Sequence, residues 1–362
     1  MDTIARQRLL HQRISGSTFT SPGEVVAHMG AMQAHMGAMQ AQDYAGAKWA
    51  VGLRLPGSTD AGIERALADR SIVRTWAIRG TLHFVAARDV QWLLALVAPV
   101  IIRKNARRYR ELGLDEGTLD RSSEALLEAV QGGRLLDRRS LRKILEEKGI
   151  DTEGQRFAYM LQRASLEGTI CQAGMRHNNP VFSEFRGPST GDEPKPRDDA
   201  LAELAKRYFA GHGPATLKDF AWWSGLPATD ARAGLEAIKE ELTRVETGGL
   251  VYWCSRIVPE FKENSSKMFL VPGFDEYMIG YRDREATLDV MKAKQRVFKN
   301  GIISPAILIN GRVGGTWTRT IGKGKVVVTA RPFTPFLAGE HDEFVAAAIR
   351  YGEFLGLPVE FG

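Results

Sequence analysis

Two glutamines separated by a single alanine, Gln40-Ala41-Gln42, followed by Asp43 and Tyr44, are the residues whose types and spacing offer chemistry in this chain. Each carboxamide carries an acceptor oxygen and a donor NH2, so two of them can hold and orient one water. The same spacing also describes the polar end of a helix. The usual catalytic signatures are missing: there is no GxxxxGK[ST], no GxGxxG after a strand, no HExxH and no CxxC. Seven histidines are scattered without metal-ligand spacing, and Cys171 and Cys254 form neither a disulfide framework nor a zinc site. No metal and no organic cofactor is therefore expected. Charge also gathers at Asp275-Glu276-Tyr277. Asp275 and Tyr277 are candidate supporting residues; Asp275 and Glu276 could both contribute charge, with a structural salt bridge the plainer reading.

Backbone geometry constrains the glutamines. On an α-helix, positions i and i+2 point about 200° apart, whereas in an extended segment they share a side. If Gln40 and Gln42 act on one water, the helix before them must end near Met39 and residues 40–42 must be extended. Upstream, His28–Ala34 and His35–Ala41 both read HMGAMQA. Seven helical residues turn the chain about 700°, so a duplicated heptad either lengthens a helix with its face kept within about 20° or is looped out. Only the second copy is completed by a second glutamine; the first continues as Gln33-Ala34-His35.

The elements that must position these residues recur along the chain. Thr3–Ile14 reads as a helix, and Ser21-Pro22-Gly23-Glu24 is a capping box opening a helix to about Met39. Helices over about Tyr44–Leu53 and Asp60–Asp69 follow, then β runs Ile72–Trp76 and Thr81–Val85. A long helix, Ala87–Leu112, leads to helices Ser140–Lys148 and Glu153–Glu167 and strands Thr169–Ala173 and Pro180–Phe185. Past a breaker-rich linker at 186–196 come helices Asp198–Ala210, Leu217–Ser224 and Pro227–Glu240, then strands Leu242–Glu246 and Leu250–Cys254. Trp223, at helical spacing from Phe220, reads as core. Strands Ala306–Ile309, Thr316–Thr320 and Lys325–Ala330 precede a closing helix, Asp342–Leu355. The expectation is an α+β fold of three tandem winged helix-turn-helix units with a C-terminal β-rich segment, divided at 1–125, 126–197, 198–262 and 263–362.

Composition sets the class. Of 362 residues, 44% are hydrophobic and 25% charged, which excludes a disordered or fibrous protein. No run of about 18 uncharged apolar residues spans a membrane, and the N-terminus lacks the apolar core of a signal peptide. A reducing cytoplasm is expected. The net charge is +6, but between Asp289 and Glu340 no acidic residue occurs, while nine Lys and Arg do. Such a field suits a polyanion. The candidate DNA-binding residues are Arg79 at the first wing turn, and Arg312, Trp317, Arg319, Lys323 and Lys325 in the acid-free stretch. A second cluster, Arg103–Arg110, reads equally well as a solvated helix face.

The segment MQAQDYAGAKWAVGLRL resembles the Q-Φ-Q region (Φ aliphatic) of the AlkZ-like winged-helix DNA glycosylases. Arg74–Val85, Arg207–Leu226, Phe269–Arg284 and Asn300–Arg319 match that family in order along nearly the whole chain. The resemblance implies that Gln40 and Gln42 position water for hydrolysis of the glycosidic bond of alkylated bases. Some relatives unhook interstrand crosslinks. A sister branch has Asp in place of the second glutamine, so Gln42 places this chain nearer the AlkZ branch. The chemistry agrees: an alkylated purine is cationic and its bond already weak, so it needs an oriented water more than a general acid. The implied protein is a monofunctional glycosylase, monomeric, acting on double-stranded DNA with alkylated bases. The rival is a non-catalytic winged-helix transcriptional regulator, which would dimerise on a palindrome.

Overall fold

The computed structural model describes residues 2–34, 42–176, 179–185, 195–257, 267–288, 297–299 and 301–362, the side chains of 2, 42, 43 and 299 excepted. The first helix, α1 (Asp2–His11), precedes α2 (Pro22–Met29), which starts in the expected capping box of Ser21 and Glu24. The helix does not reach Met39. Gly30, at φ 77, ends it after Met29 and turns the chain into strand β1 (Met32–Gln33). His, Met, Ala and Gln are acceptable helix formers, so local propensity allowed the longer helix. An available strand edge overrides it: β1 pairs with β3 (Leu82–Ala86) in the register Met32↔Phe84 and Gln33↔His83.

The same connectivity then occurs three times: a helix, a short strand, two helices and a hairpin, with the short strand paired to the hairpin's second strand. In the first unit these are α2, β1, α3 (Gln42–Gly52), α4 (Asp60–Ala68), β2 (Ile72–Trp76) and β3. After the long helix α5 (Ala87–Glu111), the second unit is α6 (Glu116–Val130), β4 (Leu136–Asp137), α7 (Arg138–Glu147), α8 (Arg156–Leu166), β5 (Ile170–Arg176) and β6 (Asn179–Glu184). The third is α9 (Arg197–His212), α10 (Leu217–Ser224), α11 (Ala228–Ile238), β7 (Leu242–Thr247) and β8 (Leu250–Ser255). There Ala215 alone, bridged to Trp253, takes the short strand's place.

Three further expectations change. Helix α6 was not foreseen, and it runs unbroken across the boundary expected at 125/126. The first two hairpins are not free wings: β2 pairs with β5, giving one sheet in the order β1-β3-β2-β5-β6-β4. The buried Arg74 side chain reinforces that junction by donating to Gln172 Oε1. The third change concerns the C-terminal segment. Its five-stranded sheet includes Met268–Val271, Ala306–Ile309, Arg312–Gly322, Lys325–Pro332 and Val359–Phe361. It shares one apolar core with the first unit, in which Trp49 packs on Tyr351 and Phe354, and Trp317 on Tyr351. Gly52 allows this closeness, since a Cβ there would lie 2.5 Å from the Phe354 ring. The linker at 186–194 and the boundary at 262/263 lie outside the described residues.

Candidate glycosylase site

The glutamine segment is held on both sides. On its upstream side, the Ala34 N–H donates to the Leu82 carbonyl, and the Ala34 carbonyl accepts from Arg74 Nε and Nη2 at 3.1 and 2.7 Å. Burial brings the Arg74 guanidinium down to about 10, so it is still a cation at neutral pH. On its downstream side, Gln42 opens α3. Two residues on, the Tyr44 hydroxyl donates to Glu64, while Lys48 donates to Asp60 and Glu64 at 2.7 and 2.8 Å. Gln40 and the side chain of Gln42 lie outside the described residues.

What the structure does bring together is a cluster around Gln33. Its backbone N–H donates to Glu276 Oε1 at 2.8 Å, and its side-chain oxygen accepts from Arg79 Nη2 at 3.1 Å. Arg79, at φ 56 in the turn between β2 and β3, also donates through Nη1 to the Trp223 carbonyl. Its guanidinium carbon stands 6.0 Å from the ring centre of Trp222, which is 46% exposed. Lys104 of α5 donates to the neighbouring Gly225 carbonyl. Arg79 is thus committed to Gln33 and to α10, rather than to a free wing tip.

Glu276 is the fully buried centre of this cluster. Besides Gln33, it accepts from Trp223 Nε1 at 2.9 Å and His212 Nε2 at 3.2 Å. Burial alone would push its carboxyl up, but His212, the field of His83 and the Gln33 N–H outweigh that and bring it down to about 2. Burial holds His212 below its ordinary value. The sequence placed Trp223 in the core, which is right, yet its indole also serves the carboxylate. The sequence offers Glu276 and Asp275 alike as charge in the same motif, and no feature of the string separates them.

The other candidates disperse. Asp275 forms a bidentate ion pair with Arg54 at 2.9 and 2.8 Å, both side chains fully buried, so it is structural. The buried Tyr277 hydroxyl lies within hydrogen-bond distance of the Ala5 and Gly311 carbonyls, at 3.0 and 2.6 Å. It ties the N-terminal helix to the C-terminal segment. Trp317 cannot touch DNA: it is fully buried and donates to the Val271 carbonyl. Strand alternation sends it to the core face, where its indole is worth more packed than exposed. Arg319 lies 5.7 Å from the ring centres of Trp317 and Tyr351, with an Nη 3.6 Å from the Cβ position of Gly46 in α3. Arg312 is half-buried, and Lys323 and Lys325 are exposed near the hairpin tip. Lys325 is paired with Glu360, so the acid-free run is not wholly unopposed in space.

Among the described residues no group of three His, Cys, Asp or Glu could hold a metal ion. No described helix is long and apolar enough to cross a membrane. A cavity of about 1000 Å3 between α10, β8, residues 282–285, Leu288 and Phe298 has neither Gln33 nor Arg79 in its described lining.

Residues 34–354 match the DNA glycosylase AlkZ-like family, and the chain belongs to it; it is an enzyme of the DNA glycosylase class. Among its relatives is an interstrand DNA cross-link repair glycosylase of Streptomyces sahachiroi. It is 27% identical over 327 residues, covering 85% of this chain and 86% of that one. The solved structure of the Streptomyces sahachiroi DNA glycosylase AlkZ has a similar fold, with a TM-score of 0.74 at 23% identity. It covers 100% of this chain and 99% of its own.

Proposed function

We propose that this chain is a monofunctional glycosylase that hydrolyses the N-glycosidic bond of alkylated, cationic purines in double-stranded DNA. Interstrand crosslinks are included among its substrates. It works as a monomer, without metal or cofactor, in the bacterial cytoplasm. The water is positioned by a pair of glutamines, Gln42 at the head of α3 and, by the motif's spacing, Gln40. The observation carrying this reading is that the Gln-Ala-Gln motif falls between two well-held points, Ala34 on Arg74 and α3 on Lys48, within a family match spanning residues 34–354.

The thrice-repeated connectivity supports reading each unit as a winged helix. Arg312, Arg319, Lys323 and Lys325 are the residues proposed to meet DNA. No lysine occupies the motif, so Schiff-base lyase chemistry is not part of the reading. The test is incubation with duplex containing N7-methylguanine, followed by alkaline cleavage at abasic sites. Strand scission that Gln42→Ala lowers by at least about tenfold, about 1.4 kcal/mol of transition-state stabilisation, is expected. No scission on any alkylated or crosslinked duplex would instead leave a non-catalytic regulator.

A further inference from the structure

The duplicated heptad presents the string Met-Gln-Ala twice, at 32–34 and at 39–41. A glutamine that shares a water with a residue two positions on must leave a helix end and enter extended backbone. The sequence placed that transition near Met39; the structure places it one heptad earlier. Helix α2 starts at its capping box and ends at Met29, and the extended residues are Met32 and Gln33. The first copy therefore occupies the strand slot. We propose that Gln33 is a catalytic glutamine of this enzyme, taking the place that spacing assigned to Gln40. This inference rests on the glycosylase reading above.

The slot is built for an oriented carboxamide. The backbone of Gln33 is held by β3 and by Glu276, and the residue is half-buried. Without a partner, an amide's oxygen and nitrogen can exchange places. Arg79, a donor only, faces the Gln33 oxygen and so fixes which end points where. One lone pair of that oxygen remains to accept a proton of a water, and the NH2 carries no partner among the described residues. Behind it lies Glu276, an ionised carboxylate that no solvent screens. Its field favours the positive charge that develops on the sugar.

In the step this assigns, the C1′–N9 bond of an alkylated purine breaks and its electron pair goes to the cationic ring, which departs as a neutral base. The held water's oxygen forms the new bond to C1′. Its proton passes to bulk water, leaving an abasic sugar.

The experiment is single-turnover excision of N7-methylguanine by Gln33→Ala, Gln33→Met and Gln40→Ala, with duplex affinity and Tm measured alongside. Gln33→Met keeps the side chain's length and removes only its polar atoms. Both Gln33 variants should lose at least about tenfold in rate, more than Gln40→Ala loses, with affinity and Tm close to the parent's. Parental excision by both Gln33 variants overturns the assignment, as does a loss that appears in Gln40→Ala instead. Equal losses in all variants also overturn it, because they would mean the slot is shared. An unmodified protein inactive on every alkylated duplex fails earlier, at the glycosylase reading itself.

Discussion

At the scale of single residues, the site is organised by a carboxylate that touches no solvent. Glu276 is stable as an anion because three N–H groups converge on it, from Gln33, Trp223 and His212. A neutral amide of the same shape could not accept all three. Glu276→Gln should therefore leave a buried donor unmatched and cost about 2–4 kcal/mol, lowering Tm by several degrees. Thermal unfolding of the variant checks this, and an unchanged Tm would mean the carboxylate is dispensable to the fold. Asp275, one residue away, meets a different partner, Arg54, on a different side of the chain. Adjacent acids in one motif thus do unrelated jobs, and only their surroundings tell them apart.

At the scale of elements, the heptads pose a question of register. Deleting 28–34 or 35–41 yields one and the same protein, because the two copies are identical. In the structure the first copy supplies the buried end of α2, the strand β1 and the Ala34 carbonyl held by Arg74. The second copy lies outside the described residues. In a single-copy protein the copy that is kept supplies these places, with Ala34 joined directly to Gln42. Its Tm should stay within about 2 °C of the parent's, a change below about 1 kcal/mol. A drop of several degrees would show that the repeat packs against the body.

At the scale of the whole molecule, two histidines, His11 buried and His28 half-buried, tie helices together through backbone carbonyls. His11 on α1 hydrogen-bonds the Ala210 carbonyl of α9, and His28 on α2 hydrogen-bonds the His11 carbonyl. Burial lowers both from the ordinary 6.5 to about 4. Between those values the unfolded chain binds more protons than the folded one, so stability falls as pH falls. The contribution is complete above about 6.5 and is lost through about 4, at about 1.4 kcal/mol per pH unit for each histidine. Glu276 adds a loss only below about 4.5, toward its folded value of about 2. Tm should therefore drop steeply between pH 6.5 and 4, and His28→Gln should flatten that slope. A Tm independent of pH across this range would contradict it.

The amino-acid string by itself determined the features that depend on neighbours a few residues apart. The Ser21–Glu24 box, the three hairpins and α10 at Leu217–Ser224 follow from local propensity and periodicity, and all are present. The end of α2 was not legible, because helix and strand were both acceptable to HMGAMQA and a distant strand edge made the choice. Trp317 stands among the cations of the acid-free stretch, but burial depends on which face of a sheet meets the core, and its indole is on that face. The cluster of Gln33, Arg79, Trp223 and Glu276 draws on residues up to 243 positions apart. No periodicity reaches that far. Only packing of the first and third units against the C-terminal segment brings an anion, a cation and an amide within hydrogen-bond distance.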